Sequence, residues 1–425
     1  MIQMLTEDGN RVESGEYDAF AAELTDEDLR GFYRDMVLVR RVDAEGAALQ
    51  RQGQLGLWAP MFGQEAAQIG MGRAARPQDF VFPTYREHGL AYTRGVEPET
   101  LLGIFRGQNH GGWDPQDHRF HTYTIVIGSQ TLHAAGYAMG VAMDGDVGTG
   151  DLDRDTVAIA CFGDGATSQG DVSEALTFAG AFHAPVLFFC QNNQWAISEP
   201  TNVQTPAPLY RRGEGFGVPG IRVDGNDIIA MYAVARASLD SVRAGNGPML
   251  IEAFTYRRGA HTTADDPTKY RDRAEEEIWA DRDPITRLRA YLENHTDTGE
   301  DFFAEVDAEA DTLAARIRHN CVTMEDPDPV EMFANVTIFA AADHAAVGVP
   351  KRALIYEGDE VRVWVLDLDH PPPGLADALT PDERDRCIAY LRTELQLIQP
   401  KAIVALGAFG QVLQLVLDAH LQVAA

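Results

Sequence analysis

The chain is poor in cysteine and in long hydrophobic runs. Its 425 residues include only four cysteines, which are widely spaced and form no Cys-x-x-Cys pair. A disulfide framework is therefore not expected, and the cysteines are predicted to be small buried residues in a reducing cytoplasm. No apolar run approaches the roughly 20 residues that a membrane helix needs. The acidic segment 1–18 also lacks the apolar core of a signal peptide, so we expect a cytoplasmic protein.

Positive charge is scarce as well. Lysine and arginine number 35 against 65 aspartates and glutamates, which gives a formal net charge of −30. This charge opposes unaided binding to nucleic acids or to anionic membranes, because both require basic surfaces. We therefore expect neither a nucleic-acid partner nor a membrane partner. Apolar residues make up 45% of the chain, and a chain of this length can hold a large core and more than one folding unit.

The most informative stretch pairs a glycine turn with a later pair of amides. An apolar run over 157–162 leads into Gly163–Gly165, and a second apolar run over 186–190 leads into Asn192–Asn193. An amphipathic segment separates the two runs, which is the pattern of a βαβ unit. Polar residues then gather at the carboxyl ends of two parallel strands, where open α/β sheets bind ligands. The Gly-Asp-Gly turn alone would be interpreted as an ordinary strand-to-helix connection, but the amide pair favours a ligand site.

These residue types suit a magnesium ion beside a phosphate group. Mg²⁺ prefers oxygen ligands in octahedral geometry and often shares them with substrate phosphates. Asp164 offers a carboxylate, Asn193 offers an amide oxygen, and the backbone carbonyl of Trp195 would complete the protein ligands. Gly163 and Gly165 allow backbone N–H groups to approach a phosphate, and the following helix would point its positive end at the same anion.

The stretch from Gly163 to Asn193 resembles the thiamine diphosphate motif. Over about residues 20–336 the chain resembles the α subunit of the decarboxylating component of 2-oxo acid dehydrogenase complexes, nearest the branched-chain type. The matching segments, in order, are GQEAAQIG (63–70), PTYREHG (83–89), IGSQTLHAAGYAMG (127–140), GDGATSQGD (163–171), QNNQWAIS (191–198), IRVDGND (221–227) and YRRGAHTTADDPTKYR (256–271). The resemblance implies an α/β protein with a three-layer α/β/α thiamine diphosphate-binding fold, and thiamine diphosphate and Mg²⁺ as cofactors.

The resemblance also implies roles for individual residues. Tyr85 and Arg86 match positions that contact the cofactor diphosphate, and an arginine fork suits two phosphate oxygens. Ile125 and Ile127 match the stretch that packs against the aminopyrimidine ring. His261 matches a catalytic histidine above the cofactor, which can donate a proton because its pKa lies near neutral. The implied cofactor-binding set is Tyr85, Arg86, Ile125, Ile127, Gly163, Asp164, Gly165, Ala166, Asn193, Ala196 and His261, with Asp164, Asn193 and Trp195 as metal ligands.

Some of these positions have alternative interpretations. Outside the family context, Arg86 would be interpreted as half of a surface ion pair with Glu87, and His261 as a solvated loop residue. Many branched-chain relatives have two adjacent histidines where this chain has Ala260 and then His261. Weaker candidates for the substrate pocket are Phe62, Gln64 and Tyr92.

The resemblance implies an enzyme subunit that depends on partners. In the family, the glutamate that activates the cofactor belongs to a separate β subunit, and no segment of this chain resembles that subunit. An α₂β₂ heterotetramer is therefore expected, which takes a 2-oxo acid and passes the acyl group to a lipoyl group on a dihydrolipoyl acyltransferase core. Pyruvate and acetoin dehydrogenase α subunits are alternatives within the class. A catalytically inactive regulatory subunit is a further alternative.

The chain is predicted to change character near Val336. The predicted parts are an acidic, loose N-terminal arm (1–24), the dehydrogenase domain (25–336), a β-hairpin-like segment (337–370) and a partial βαβ segment (371–425). The last two form a small, incomplete α/β appendage. Residues 349–369 resemble a β-segment of efflux adaptor proteins, and residues 371–418 resemble part of an iron–sulfur uracil-DNA glycosylase. The catalytic loop and cluster cysteines of that glycosylase family are not visible, so DNA repair is the less favoured function.

Overall fold

The structure, a computed structural model, describes residues 1–109 and 111–325 and four short strands beyond them. The chain divides into two compact units, Met1–Asp326 and Pro327–Ala425. The short strands are β8 (Val336–Thr337), β9 (Gly348–Val349), β10 (Ile355–Glu357) and β11 (Glu360–Arg362). They pair antiparallel, β8 with β9 and β10 with β11. The partial βαβ segment predicted for 371–425 lies outside the described residues.

The first unit alternates strands and helices. Its strands are β1 (Phe80–Phe82), β2 (Ala158–Gly163), β3 (Val186–Asn192), β4 (Trp195–Ala196), β5 (Glu199–Pro200), β6 (Gly220–Asp224) and β7 (Met249–Phe254). Its helices are α1 (Asp18–Ala21), α2 (Asp26–Arg51), α3 (Glu65–Ala74), α4 (His88–Thr93), α5 (Pro98–Arg106), α6 (Pro115–His118), α7 (Ser129–Asp144), α8 (Gly170–Phe182), α9 (Thr201–Gln204), α10 (Ile228–Arg243), α11 (Arg273–Ala280), α12 (Pro284–His295) and α13 (Glu300–Thr323). Short 3₁₀ helices span Gly15–Tyr17, Asp164–Ser168, Leu209–Phe216 and Pro267–Lys269. No helix among the described residues is long and apolar enough to cross a membrane.

A parallel sheet forms the centre of this unit, with strand order β1-β2-β3-β7-β6. In its register Gly163 lies opposite Gln191, and Asn192 lies opposite Phe254. The strands are almost continuously apolar, with every residue of β3 buried, as expected when helices cover both faces of a parallel sheet. The carboxyl ends of β2, β3 and β7 consequently meet along one edge of the sheet.

Helices cover both faces of the sheet. Val81 and Ile159 belong to one buried cluster, which includes apolar residues of α2, α3 and α10. Phe80 and Ala158 belong to a second cluster, which includes residues of α7 and α8. Because successive strand residues point to opposite faces, the two clusters lie on either side of the sheet. The predicted three-layer α/β/α fold is confirmed.

The N-terminal arm is not loose at its start, in contrast to the expectation for 1–24. Met4 and Leu5 are fully buried, and their backbone N–H groups both donate to Asp227 Oδ2 at 2.6 Å. Asp227 also caps the first turn of α10. Ile2 pairs with Val223 of the edge strand β6 and so extends the sheet. The sequence of the arm does not reveal this attachment, because the arm is acidic and its partner Asp227 lies more than 200 positions later.

Candidate functional site

The carboxyl ends of β2 and β3 bring the predicted metal ligands together. Asp164 follows β2 directly and is 2% exposed, while Asn193 follows β3 and is 7% exposed. Asp164 Oδ2 accepts hydrogen bonds from Thr201 Oγ1 at 3.2 Å and from Gln204 Nε2 at 3.1 Å. Burial raises the pKa of the Asp164 carboxyl, and these two hydrogen bonds oppose the rise. A buried carboxylate of this kind is stabilised further when a cation joins it.

Three acceptor oxygens converge beside Asp164. The Asn193 side-chain oxygen lies 3.1 Å from the Trp195 carbonyl oxygen and 3.3 Å from Asp164 Oδ1. Turning the Asn193 amide over would instead let its nitrogen donate to both oxygens. On its other side, however, Asn193 Nδ2 donates to Gln64 Oε1 at 3.1 Å, so Gln64 would have to turn too. A Mg²⁺ ion would satisfy the present arrangement, since octahedral ligands at about 2.1 Å lie about 3.0 Å from one another.

The glycine turn allows the loop after β2 to lie directly on the loop after β3. A Cβ atom at Gly165 would lie 2.6 Å from the Cβ of Ala196, far inside van der Waals contact. At Gly163 the nearest atom to such a Cβ is the carbonyl oxygen of Gln191, 4.0 Å away. Gly165 therefore sets the close approach of the two loops, and Ala166 behind it is buried.

We expect Gly165→Ala to destabilise the cofactor-free chain by about 1–3 kcal/mol, because the added methyl group overpacks the contact with Ala196. Gly163→Ala is the matched control, since its φ of −88° and its open surroundings accept a side chain. Denaturant unfolding of both variants measures the difference. Equal stability of the two variants would contradict the close packing at Gly165.

A second cluster surrounds His261. Arg86 Nη2 donates to the His261 carbonyl oxygen at 2.8 Å and lies 3.3 Å from His261 Nδ1. Arg86 Nη1 donates to the Pro60 carbonyl oxygen at 2.5 Å. Tyr85 OH lies 3.3 Å from His261 Nε2, and Arg257 Nη1 lies 3.4 Å from His261 Nδ1. The structure thus brings Tyr85, Arg86 and His261 together as predicted and adds Arg257 to them.

The surroundings of His261 define its protonation state. Burial, Arg86 and Arg257 lower the pKa of His261 to about 3. The imidazole is therefore neutral at pH 7, and Nδ1 is the acceptor because two guanidinium groups face it. The remaining proton is on Nε2, which faces the Tyr85 hydroxyl.

Arg86 and Arg257 are buried cations that suit an anion. They are 6% and 1% exposed, and Arg257 Nε has no hydrogen-bond partner. Their hydrogen bonds go to carbonyl oxygens, to His261 and to the Tyr270 hydroxyl, and neither guanidinium pairs with a carboxylate within the described part of the chain. Arg257 also donates to the Trp195 carbonyl oxygen at 2.7 Å, which connects this cluster to the three oxygens. Two guanidinium groups without a directly paired carboxylate, beside a candidate cation site, fit a metal-bound diphosphate.

The alternative ion pair between Arg86 and Glu87 does not form. Glu87 Oε2 instead accepts from the N–H and the hydroxyl of Thr84 at 2.6 Å, and Glu87 Oε1 accepts from Gln191 Nε2 at 2.6 Å. Gln68 Nε2 donates to the Arg86 carbonyl oxygen and to Gln191 Oε1, each at 3.0 Å. This buried network fixes the backbone of Arg86 and leaves its guanidinium directed at the site.

The remaining predicted residues lie in different surroundings. Ile125 and Ile127 are 65% and 38% exposed, on the loop that leads into α7. Phe62 lies between the guanidinium groups of Arg40 and Arg258, at 5.0 and 4.5 Å from its ring centre. Tyr92 lines a separate groove of about 510 Å³ whose other walls come from α2, α5 and α13. The hydrogen-bond networks around Asp164 and His261 include none of these four side chains.

Several residues of the site were missed by sequence reasoning. Arg257 lies inside a matching segment but carries no local signal that distinguishes it from ordinary polar residues. Gln64 was predicted only as a weaker candidate for the substrate pocket, whereas the structure places it beside Asn193. Thr201 and Gln204 lie just beyond the QNNQWAIS segment, on the short helix α9. The only sequence signal for Thr201 and Gln204 was that a hydroxyl and an amide follow the pair Asn192–Asn193 within a few positions.

The fold and the site define a class of protein, namely a three-layer α/β protein with a sheet-edge site suited to a cation and an anionic group. The chain belongs to a particular family within that class, the dehydrogenase E1 component family, whose sequence model matches residues 33–325. The predicted family is thereby confirmed. The match ends at residue 325, before the predicted appendage begins.

Individual relatives agree with the family. The chain is 44% identical over 336 residues to the 3-methyl-2-oxobutanoate dehydrogenase subunit alpha of Mycobacterium tuberculosis (strain H37Rv), a match that covers 79% of this chain and 89% of that protein. It is 43% identical over 275 residues to the pyruvate dehydrogenase E1 component subunit alpha of Acholeplasma laidlawii, covering 64% and 77%. The corresponding Staphylococcus aureus (strain Mu50) subunit is 40% identical over 319 residues, covering 74% and 83%.

Proposed function

We propose that the chain is the α subunit of the E1 component of a 2-oxo acid dehydrogenase complex and acts on a branched-chain 2-oxo acid. The family membership supports the reaction class, and the 44% identity to a 3-methyl-2-oxobutanoate dehydrogenase subunit supports the branched-chain substrate. The relatives named as pyruvate dehydrogenase subunits, at 40–43% identity, support pyruvate as the second candidate. The observation that carries the proposal is the convergence of three oxygens beside two buried arginines.

The residues of the site fit thiamine diphosphate and Mg²⁺. Asp164, Asn193 and the Trp195 carbonyl would hold the ion, and Arg86 and Arg257 would hold the diphosphate. When bound, thiamine diphosphate supplies the nucleophilic carbon and the electron sink for decarboxylation. The chain's own contribution would be to orient the bound groups, exclude water and hold a proton at His261 Nε2 that is available to the substrate.

The same family membership implies a β-subunit partner in a multienzyme complex. We propose that the partner completes the site as an α₂β₂ heterotetramer and that the acyl acceptor is a lipoyl group on a dihydrolipoyl acyltransferase core. The exposed apolar run Ile125–Ile127 supports this proposal, because neighbouring exposed apolar side chains favour a partner or a ligand. Cys161, Cys190 and Cys321 are buried free thiols, which suits a cytoplasmic location.

Co-expression with a β subunit tests the function. We expect the isolated chain to be inactive and the purified complex to decarboxylate 3-methyl-2-oxobutanoate when thiamine diphosphate and Mg²⁺ are present. Small differences in the size of an apolar group in a pocket change specificity by about 10–200-fold. The kcat/KM for 3-methyl-2-oxobutanoate should therefore exceed the kcat/KM for pyruvate by a similar factor. Release of CO₂ from each substrate measures the ratio. A higher kcat/KM for pyruvate would replace the branched-chain assignment, and no activity with either substrate would contradict the proposed function.

A further inference from the structure

We propose that Gln64, Thr201 and Gln204 are positioning residues, which fix the orientation of the two metal-ligating side chains before the ion binds. The inference rests on the proposed metal site at Asp164 and Asn193. It concerns side chains that contact the ligands rather than the ion. Each of the three forms a hydrogen bond to the part of a ligand that faces away from the converging oxygens.

The two oxygens of Asp164 have different environments. Oδ2 accepts from Thr201 Oγ1 at 3.2 Å and from Gln204 Nε2 at 3.1 Å, whereas Oδ1 faces the Asn193 oxygen at 3.3 Å. Rotation of the carboxylate about its χ2 torsion would break both hydrogen bonds. The two donors therefore leave only Oδ1 directed toward the ion, as a single ligand position in an octahedral shell requires.

Thr201 is itself held in place. Its backbone N–H donates to the Gln194 carbonyl oxygen at 3.0 Å, and its hydroxyl lies 3.1 Å from Asn192 Oδ1. A hydroxyl has one proton for the two acceptors, and a carboxylate oxygen is the stronger acceptor. The Thr201 proton is therefore directed to Asp164, and the side chain joins the ends of β2 and β3.

Gln64 performs the corresponding task for Asn193. It is 1% exposed, and its Oε1 accepts from Asn193 Nδ2 at 3.1 Å. Its own amide nitrogen lies 3.4 Å from the Met61 carbonyl oxygen, which defines which end of Gln64 faces Asn193. With the nitrogen of Asn193 engaged in this way, the Asn193 oxygen is the atom presented to Asp164 Oδ1 and the Trp195 carbonyl.

Thr201→Val tests the inference, because valine keeps the shape of threonine and lacks only the hydroxyl. Residues that orient metal ligands change metal affinity by about 10–100-fold when removed. In the complex purified with the β subunit, we expect Mn²⁺ to bind about 10–100-fold more weakly in Thr201→Val than in the unmodified protein. Electron paramagnetic resonance titration of Mn²⁺ in the presence of thiamine diphosphate measures the affinity. The conservative variant Thr201→Ser, which keeps the hydroxyl, should restore Mn²⁺ binding to near the unmodified value.

Two further variants separate positioning from folding. Gln204→Met and Gln64→Met remove the amide groups with little change in side-chain length, and each should weaken Mn²⁺ binding while the metal-free melting temperature stays close to that of the unmodified complex. At saturating Mn²⁺ and thiamine diphosphate, kcat should recover, since the ligands themselves are intact. Unmodified Mn²⁺ affinity in all three variants would overturn the positioning role alone. Failure of the unmodified complex to bind Mn²⁺ would overturn both the proposed function and this inference.

Discussion

Replacement of Asp164 by alanine is expected to abolish Mg²⁺-dependent binding of thiamine diphosphate. The variant loses the only carboxylate among the three converging oxygens, so the ion loses its charged ligand as well as one coordination position. Loss of a ligand should weaken binding more than loss of a residue that orients a ligand, so the affinity should fall by more than about 100-fold. Isothermal titration of thiamine diphosphate into the α–β complex, with and without Mg²⁺, measures the effect.

Two variants serve as controls for Asp164→Ala. Asp171→Ala removes a carboxylate from the first turn of α8, outside the hydrogen bonds of Asp164, and the Mg²⁺ dependence of cofactor binding should remain. Asp164→Asn keeps the shape but removes the charge. Burial raises the pKa of Asp164 above its value in the unfolded chain, so ionisation of this carboxyl costs stability in the metal-free fold. Asp164→Asn should therefore melt at the same or a higher temperature without metal. Unchanged Mg²⁺-dependent binding in Asp164→Ala would exclude the proposed metal site.

The parts of the fold and site that the sequence predicts are those whose signal is local. The apolar runs before Asp164 and Asn193 predict two parallel strands, and neighbouring parallel strands place the residues after their ends together. The Trp195 carbonyl follows from the same loop, only two positions after Asn193. Short-range periodicity and strand topology are therefore sufficient to predict that these three oxygens lie close together.

Contacts between distant segments were not predictable in the same way. Gln64 and Asn193 are 129 positions apart, and Leu5 and Asp227 are 222 positions apart. Their pairing depends on how helices pack on the sheet, which no local pattern of polar residues specifies. Tyr92 lies away from the site for the same reason: the packing of α4 directs its side chain into another groove.

An anion bound at the site should change the charge around His261 and therefore the pKa of its imidazole. In the cofactor-free chain the pKa of His261 is lowered to about 3, by burial first and then by Arg86 and Arg257. A diphosphate bound to the two arginines would compensate their charge and so raise the pKa toward its ordinary value of about 6.5. His261 would then have a higher pKa in the cofactor-bound protein than in the cofactor-free protein. At a pH between these two pKa values, cofactor binding is therefore accompanied by protonation of His261. Cofactor affinity should therefore increase with decreasing pH below that raised pKa.

Replacement of His261 by asparagine is expected to lower kcat by about 10²–10⁴-fold, the usual range for a group that donates a proton in a reaction. The affinity for Mn²⁺ should change little, because His261 contacts Tyr85 and two arginines rather than the converging oxygens. Single-turnover decarboxylation by the α–β complex measures the loss, and His319→Asn, on an exposed face of α13, is the matched control. Nuclear magnetic resonance of labelled histidines, with and without thiamine diphosphate, measures the change in pKa. An unchanged kcat would exclude His261 as the proton donor and leave it as a residue that orients Arg86 and Arg257.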